Sequence, residues 1–190
     1  NFFKNVTPEI IDGTDSESKI LNINVEEKAT GEIMAGAGVG TSGGTITVGV
    51  KENNYLGKGI GLDANLTLRD DSIKGLFSVN NPNFRNTDKS IYTTIQSSEL
   101  NKLTDFGYKS NKTGFKIGTR FEYLNDLDLG VGFNSFYEKI ETDSSASARQ
   151  KAQEGNYFDN HLNLIFNYDK RNQKFKTTDG IKSYLSLDTP

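Results

Sequence analysis

The sequence predicts an all-β fold, an antiparallel sheet of the kind that forms a transmembrane β-barrel. Three observations carry this expectation. From Gly31 onward apolar and polar residues alternate, as in Gly61-Leu62-Asp63-Ala64-Asn65-Leu66-Thr67-Leu68-Arg69 and in the run from Gly114 to Tyr123. A period of two is that of a strand, whose successive side chains point to opposite faces. The segments run to about ten residues, longer than the usual five or six and long enough for a tilted strand to cross a bilayer. One phase carries Leu, Ile, Val and Phe and the other Asp, Asn, Lys, Arg, Glu and Gly, which fits lipid outside and a wet lumen inside.

Composition narrows the alternatives. The chain has 190 residues, 34% hydrophobic and 25% charged, and its mean hydropathy of −0.59 is that of a soluble protein. A barrel is compatible with that value because only half of each strand must be apolar. A helical membrane protein is excluded, since no apolar run approaches the roughly 18 residues a spanning helix needs. A net charge of −3 gives no support to a nucleic-acid partner. The absence of cysteine removes disulfides, thiolate zinc sites and thiol catalysis. Three prolines and 19 glycines suit long strands with tight turns. No signal peptide is visible and the chain opens on Asn1, so it is read as mature, cropped or partial.

Residues 1–29 differ from the rest. Lys19 to Glu26 alternates, with Leu21, Ile23 and Val25 on one face, and residues 1–6 supply a second short strand. Polar residues 12–18 link the two, as at the end of a small soluble domain, and residues 26–30 form a junction. Nine strands are expected beyond it, at 31–40, 44–53, 58–69, 73–81, 89–99, 113–123, 127–138, 158–168 and 181–188. Thr41-Ser42-Gly43-Gly44 and Asp70-Asp71-Ser72 are turns on one side; Asn53 to Gly57 and Asn81 to Asn86 are turns on the other. The polar loop 143–155 is the longest and shares the side of Asp70-Asp71-Ser72, the extracellular one if the N-terminal piece is periplasmic. The link 169–180 is long for a periplasmic turn. Aromatics near strand ends form two expected interfacial girdles, Tyr55, Phe84, Tyr123 and Tyr168 against Tyr137, Tyr157 and Phe158.

Candidate chemistry is sparse. Gly36-Ala37-Gly38-Val39-Gly40 lacks the helix that a dinucleotide fingerprint requires; it instead strips one face of a strand of side chains. His161, the single histidine, shares a face with Asn163 and Asn167 and has no clustered metal partners in sequence. Asp126 and Asp128 match only a fragment of a calcium loop and are read as a turn. Asn65-Leu66-Thr67 and Asn111-Lys112-Thr113 match the glycosylation triplet, too short a pattern to carry weight. No G-x-S-x-G motif accompanies the serines. The sequence therefore offers no enzyme, no cofactor and no metal site.

The junction from Leu21 through Thr30-Gly31-Glu32 into Ala35-Gly36-Ala37-Gly38-Val39-Gly40-Thr41 resembles the BamA family, the outer-membrane β-barrel assembly proteins. In that family a last POTRA domain runs through a "TG" into a glycine-rich first barrel strand. Phe2-Phe3 resembles the family's "FF", Asn54-Tyr55-Leu56-Gly57-Lys58-Gly59 its "NxLGxG" turn, Asn81-Pro82-Asn83-Phe84 its "NPxF" turn, and Thr178-Asp179-Gly180 the end of its "PTDG" turn, with Thr177 in place of proline. The last of these accounts for the long link. Each motif is weak alone; the ordered set is specific and covers essentially the whole chain.

The resemblance implies that residues 1–30 are the C-terminal end of the last POTRA domain and 31–190 the N-terminal part of the barrel, about the first nine of sixteen strands. The family's "VRGF"-type motif is absent, so the chain is expected to be a fragment of an incomplete barrel. It also implies a non-enzymatic role in inserting client β-barrel proteins into the bacterial outer membrane. The N-terminal end would lie in the periplasm, with the lipid bilayer and the lipoproteins of the assembly complex as further partners. The first strand, Glu32, Ile33, Met34, Ala35, Gly36, Ala37, Gly38, Val39 and Gly40, would line a lateral seam where client strands pair by β-augmentation. Ile60, Leu62, Leu66 and Leu68 would face lipid, and Asp63, Asn65, Arg69, Lys116, Arg120 and Glu122 the lumen. The competing readings are a related secretion transporter or passive pore, and a soluble β-sandwich with its apolar faces turned inward.

Overall fold

The computed structural model describes residues 2–15, 17–40 and 43–190. It divides into two compact units, Asn1–Gly31 and Glu32–Pro190. The first holds a two-stranded antiparallel sheet, β1 (Phe3–Asp12) and β2 (Lys19–Glu27). Here β1 runs past the six residues expected of it, through Pro8, which lies opposite Ile23. A proline is tolerated because a two-stranded ribbon has only edge strands. Val6, Ile10, Leu21, Ile23 and Val25 lie on one face of this hairpin and are all exposed.

The second unit is one nine-stranded antiparallel sheet in unbroken sequential order. Its strands are β3 (Gly31–Gly40), β4 (Gly43–Tyr55), β5 (Ile60–Arg69), β6 (Ser72–Asn81), β7 (Ser90–Lys102), β8 (Tyr108–Leu124), β9 (Leu127–Thr142), β10 (Gly155–Asp169) and β11 (Lys182–Thr189). All nine expected strands are present. The sheet is unclosed, with β3 and β11 as its edges among the described residues. No helix among the described residues is long and apolar enough to cross a membrane.

Two boundaries differ from the sequence expectation for physical reasons. Residues 100–112, expected as loop, continue β7 and β8, joined by α1 (Leu103–Phe106) and closed by Gly107 at φ 71°. Their cross-strand pairs Glu99–Lys109 and Lys102–Asp71 are ionic, so the ladder continues where apolar alternation has stopped. Loop 143–155 contains α2 (Ala148–Lys151), started by a capping box in which Ser147 and Gln150 bond each other's backbone N–H.

The turns are built by side chains that replace backbone partners. Asn54 Oδ1 accepts from Gly59 N at 2.6 Å, and Glu52 Oε1 accepts from Asn54 N at 2.7 Å. Asn81 closes an Asx turn onto Asn83 N at 3.1 Å. In the long link, Asn172 Oδ1 accepts from Thr178 N and Asp179 N, each at 3.3 Å. Gly180 there takes φ 96°, and a Cβ would strike the Lys170 carbonyl, so only glycine fits. Asp126 turns the chain at φ 65°, while Asp128 accepts from Asn167 at 3.2 Å, in keeping with a turn. The expected Thr41-Ser42 part of the first hairpin lies outside the described residues. Asn65 and Asn111 of the two glycosylation triplets lie within β5 and β8.

Two aromatics lie over glycines on neighbouring strands. Tyr92 is aligned across β8 and β9 with Gly118 and Gly132, and a Cβ at either would meet its ring or hydroxyl. Phe136 covers Gly114 and is 8% exposed. The rings fill the space the glycines vacate and add cross-strand contact there. Gly118→Val is expected to cost about 1–3 kcal/mol through overpacking against Tyr92. The urea midpoint of the full-length protein in lipid measures it, and Tyr92→Ala in the same chain should recover part of the loss.

Candidate functional site

The register sorts every strand into the same two faces. One row runs Lys51, Asp63, Ser78, Thr94, Lys116, Asn134, His161 across seven strands, polar throughout. Two residues further along each strand, Gly61, Asn80, Tyr92, Gly118, Gly132 and Asn163 share that face. The intervening rows are largely apolar in the middle of the sheet, as in Val79, Thr93, Ile117, Phe133, Leu162. Asp63, Asn65, Arg69, Lys116, Arg120 and Glu122 all lie on the polar face, and Ile60, Leu62, Leu66 and Leu68 on the apolar one.

Burial is inverted relative to a soluble domain. Only Phe136 and Ala146 are buried apolar side chains among the described residues. Ile46, Val50, Ile73, Phe77, Ile95, Phe115, Ile117, Leu162 and Leu185 are exposed, all on the apolar face. A contiguous apolar surface of this size marks contact with lipid or protein.

The margins of that surface cut obliquely across the strands. On β4 to β6 the outermost apolar row at one end is Ile46, Leu68, Ile73. The same row continues as Glu99, Asn111, Lys139, Asn156, and on β10 the continuous apolar run begins only at Leu162. At the opposite end the run stops at Val50 on β4 but extends to Tyr168 on β10. Both margins slip the same way by about one residue per strand, which with about 3.3 Å along and 4.8 Å between strands is a tilt of about 35°. That is the tilt of a strand crossing a bilayer.

Of the four aromatics expected at one interface, Tyr168 ends the apolar run on β10 opposite Leu127 and Tyr123 lies in the irregular pairing between Glu122 and Leu124, whereas Tyr55 ends β4 beyond Val50 and Phe84 lies in the turn after β6. At the other end the expectation needs correction. Tyr157 pairs with Glu138 on the polar face and donates to Gln153 O at 2.8 Å. It has the wrong phase because the alternation continues unbroken through Phe158. Tyr137 and Phe158 have the right phase but lie beyond the oblique margin.

On the polar face the side chains interlock. Lys112 pairs with Glu138 at 3.5 Å and Asp159 at 3.3 Å, His161 pairs with Asp159, and Ser110 donates to Glu138 at 2.8 Å. The ammonium groups of Lys112 and Lys116 stand 5.3 and 5.9 Å from the Phe136 ring centroid. Asn65 donates to Asp63, and Glu122 accepts from Asp126 N at 3.2 Å. Arg69 lies opposite Ser72, and Arg120 lies opposite Ser90 and Gly130. Phe136, Tyr92 and the Lys112 cluster do not stand out in the sequence. Two aromatics in the polar phase, each level with glycines, are the available signal. Among the described residues no group of three His, Asp or Glu could hold a metal.

The edge strand β3 is exposed along its whole length, with Ile33 at 86% and Val39 at 96%. The Met34 methyl group comes within 3.2 Å of where a Gly49 Cβ would lie, on the polar side. Glu32, Gly36, Gly38 and Gly40 share that side by alternation, and Ile33, Ala35, Ala37 and Val39 the other. Nothing lies within 4 Å of a Cβ built at Gly36, Gly38 or Gly40. Ile33 and Ala35 border a shallow groove of about 510 Å³ with Val48, Leu66 and Phe77.

Fold and surface define the class: an antiparallel sheet with one apolar face and an oblique apolar margin, of the outer-membrane barrel type. The Omp85 superfamily domain matches residues 54–189, and the chain belongs to that superfamily of outer-membrane assembly and transport proteins. The fold is also similar to the crystal structure of BamA from Haemophilus ducreyi lacking POTRA domains 1–3, with a TM-score of 0.71 at 21% identity. The match covers 100% of this chain and 40% of that one, so the chain spans well under half the length of that structure.

Beyond the strands, loop 143–154 is held down by Asp143. Its N–H donates to Gly107 O at 2.8 Å, and its carboxylate accepts from Ser145 N at 2.7 Å and Ser145 Oγ at 2.6 Å. Those two bonds from Ser145 hold the carboxyl below its usual range. A depressed carboxylate stabilises the fold above its unfolded value, about pH 3.9, and the contribution fades as pH falls through the lower folded value. Protease cleavage within 143–154 should therefore be flat from neutral pH to about pH 5 and rise only below about pH 4. Asp143→Asn should raise cleavage at neutral pH and remove the acid dependence.

Proposed function

We propose that this chain belongs to a protein that assembles β-barrel clients into the outer membrane, and that β3 is the strand on which clients pair. The observation that supports this most is the character of the edge. A strand with one unpaired side offers a row of N–H and C=O groups as a template for another strand. An edge rich in glycine makes few side-chain contacts, so strands can pair with it and leave it again without breaking packing.

In this reading the apolar face meets lipid and the polar face, with Asp63, Asn65, Arg69, Lys116, Arg120 and Glu122, lines the lumen. Residues 1–30 form the C-terminal end of a POTRA domain in the periplasm. Client strands add to Glu32–Gly40 by backbone hydrogen bonds, and the alternation of Ile33, Ala35, Ala37 and Val39 with Glu32, Met34 and the three glycines sets which client face turns to lipid. Outer-membrane lipoproteins of the assembly complex are further partners in this reading.

The experiment is a disulfide scan in the full-length protein. Single cysteines at Glu32 to Gly40 are tested against single cysteines along the terminal strand of a barrel client. Crosslinks should appear only at positions related by one antiparallel register. Crosslinks of equal yield at every register, or none, would overturn the proposal and leave secretion or conduction as the reading of the fold.

A further inference from the structure

We propose that the outward face of β9 and β10 carries a seat for the phosphorylated saccharide headgroup of an acylated glycolipid. This rests on the reading that the apolar face meets lipid and that the end bearing loop 143–154 is the outer one.

The seat has three parts. Phe158 is 75% exposed and stacks on Tyr137, with ring centroids 5.1 Å apart and planes inclined by 52°. Asn156 and Asn160 flank Phe158 on the same face of β10. Tyr137 Oη donates to Asn156 Oδ1 at 2.9 Å, and Ser135 Oγ donates to Asn160 Oδ1 at 2.7 Å. The protein thus occupies each amide oxygen, and neither NH₂ group has a partner among the described residues. Lys139, opposite Asn156, supplies a cation beside Glu141 at 2.7 Å. An exposed aromatic face takes the C–H side of a sugar ring, flanking amide donors take its hydroxyl or acyl-carbonyl oxygens, and an ammonium takes a phosphate.

Height above the apolar margin selects the headgroup. Measured from Leu162 at about 3.3 Å per residue and a tilt of about 35°, with the offset of the neighbouring strand taken off for β9, Asn160 stands about 5 Å, Phe158 about 11 Å and Lys139 about 13 Å beyond the margin. The polar region of a phospholipid leaflet is only about 5–8 Å deep. A phospholipid would reach Asn160 and leave Phe158 and Lys139 in water. A saccharide headgroup is deep enough to cover all three. The β4 to β6 side has no such group, because its margin at Ile46, Leu68 and Ile73 ends directly in the Asp70 and Asp71 turn.

The test uses the full-length protein extracted from its own outer membrane in mild detergent, with retained lipopolysaccharide and phosphatidylethanolamine quantified per protein by mass spectrometry. Phe158→Ala and Asn160→Ala should each lower lipopolysaccharide about fivefold and leave phosphatidylethanolamine unchanged. Phe115→Ala, inside the apolar band, should not discriminate between the two lipids. Lys139→Gln leaves the ring pair intact and should still lower lipopolysaccharide, which keeps the test valid if a strand variant folds poorly. Unchanged lipopolysaccharide, or parallel loss of both lipids, would overturn the seat. A nitroxide at Leu164 separates the underlying reading: contact with oxygen rather than with a water-soluble nickel complex places the face in lipid whatever the lipid counts show, and the reverse sinks the lipid-facing reading itself.

Discussion

Backbone groups inside hydrocarbon have no water to bond, so each N–H and C=O must find a partner in the protein. The sheet is organised around that constraint. The ladders β5·β6, β6·β7 and β9·β10 run without a register shift. The shifts on β4 and β8 fall between Glu52 and Tyr55 and between Glu122 and Leu124, at the strand ends and at or beyond the margin of the apolar face. Side chains adapt to this ladder rather than the reverse. Ser97 and Thr113, level with each other at the edge of the apolar face, pair at 2.7 Å, and Thr119 donates to Ser90 O at 2.9 Å.

The same constraint singles out the edges of the sheet, where one side of a strand has no strand partner among the described residues. Interior strands are paired on both sides and have no freedom to exchange. At β3 and β11 one side of the backbone is open among the described residues, and an open edge in a membrane is costly until another strand fills it. Glycine at Gly36, Gly38 and Gly40 adds nothing to hold a partner except the backbone itself. The demand for a partner and the lack of side-chain specificity for any one partner coincide on the strand that the proposed function needs.

Much of this is legible in the sequence because period-two patterning is local. The nine strands and the assignment of Asp63, Lys116 and Arg120 to one face against Leu62 and Leu66 to the other follow from alternation, and the hairpin turns between them give the sequential order. The polar extensions of β7 and β8 are not legible, since ionic pairs such as Glu99–Lys109 carry no hydropathy signal. Helix α2 escapes notice because four residues contain too little periodicity, although Ser147 and Gln150 spell a capping box. Tyr157 falls on the wrong face for a girdle because nearness to a strand end says nothing of phase.

The sequence by itself determined the strand count, the two faces and, through its ordered turns, the family resemblance. Each of these depends on neighbours along the chain. The tertiary structure decided what depends on alignment between strands. It set which glycines lie under Tyr92 and Phe136, and how Lys112, Glu138, Asp159 and His161 meet. It also set the oblique apolar margin that gives the tilt and leaves Phe158 standing above the hydrocarbon. Register is a property of strand pairs, and a one-residue slip would have moved every one of these contacts to the opposite face.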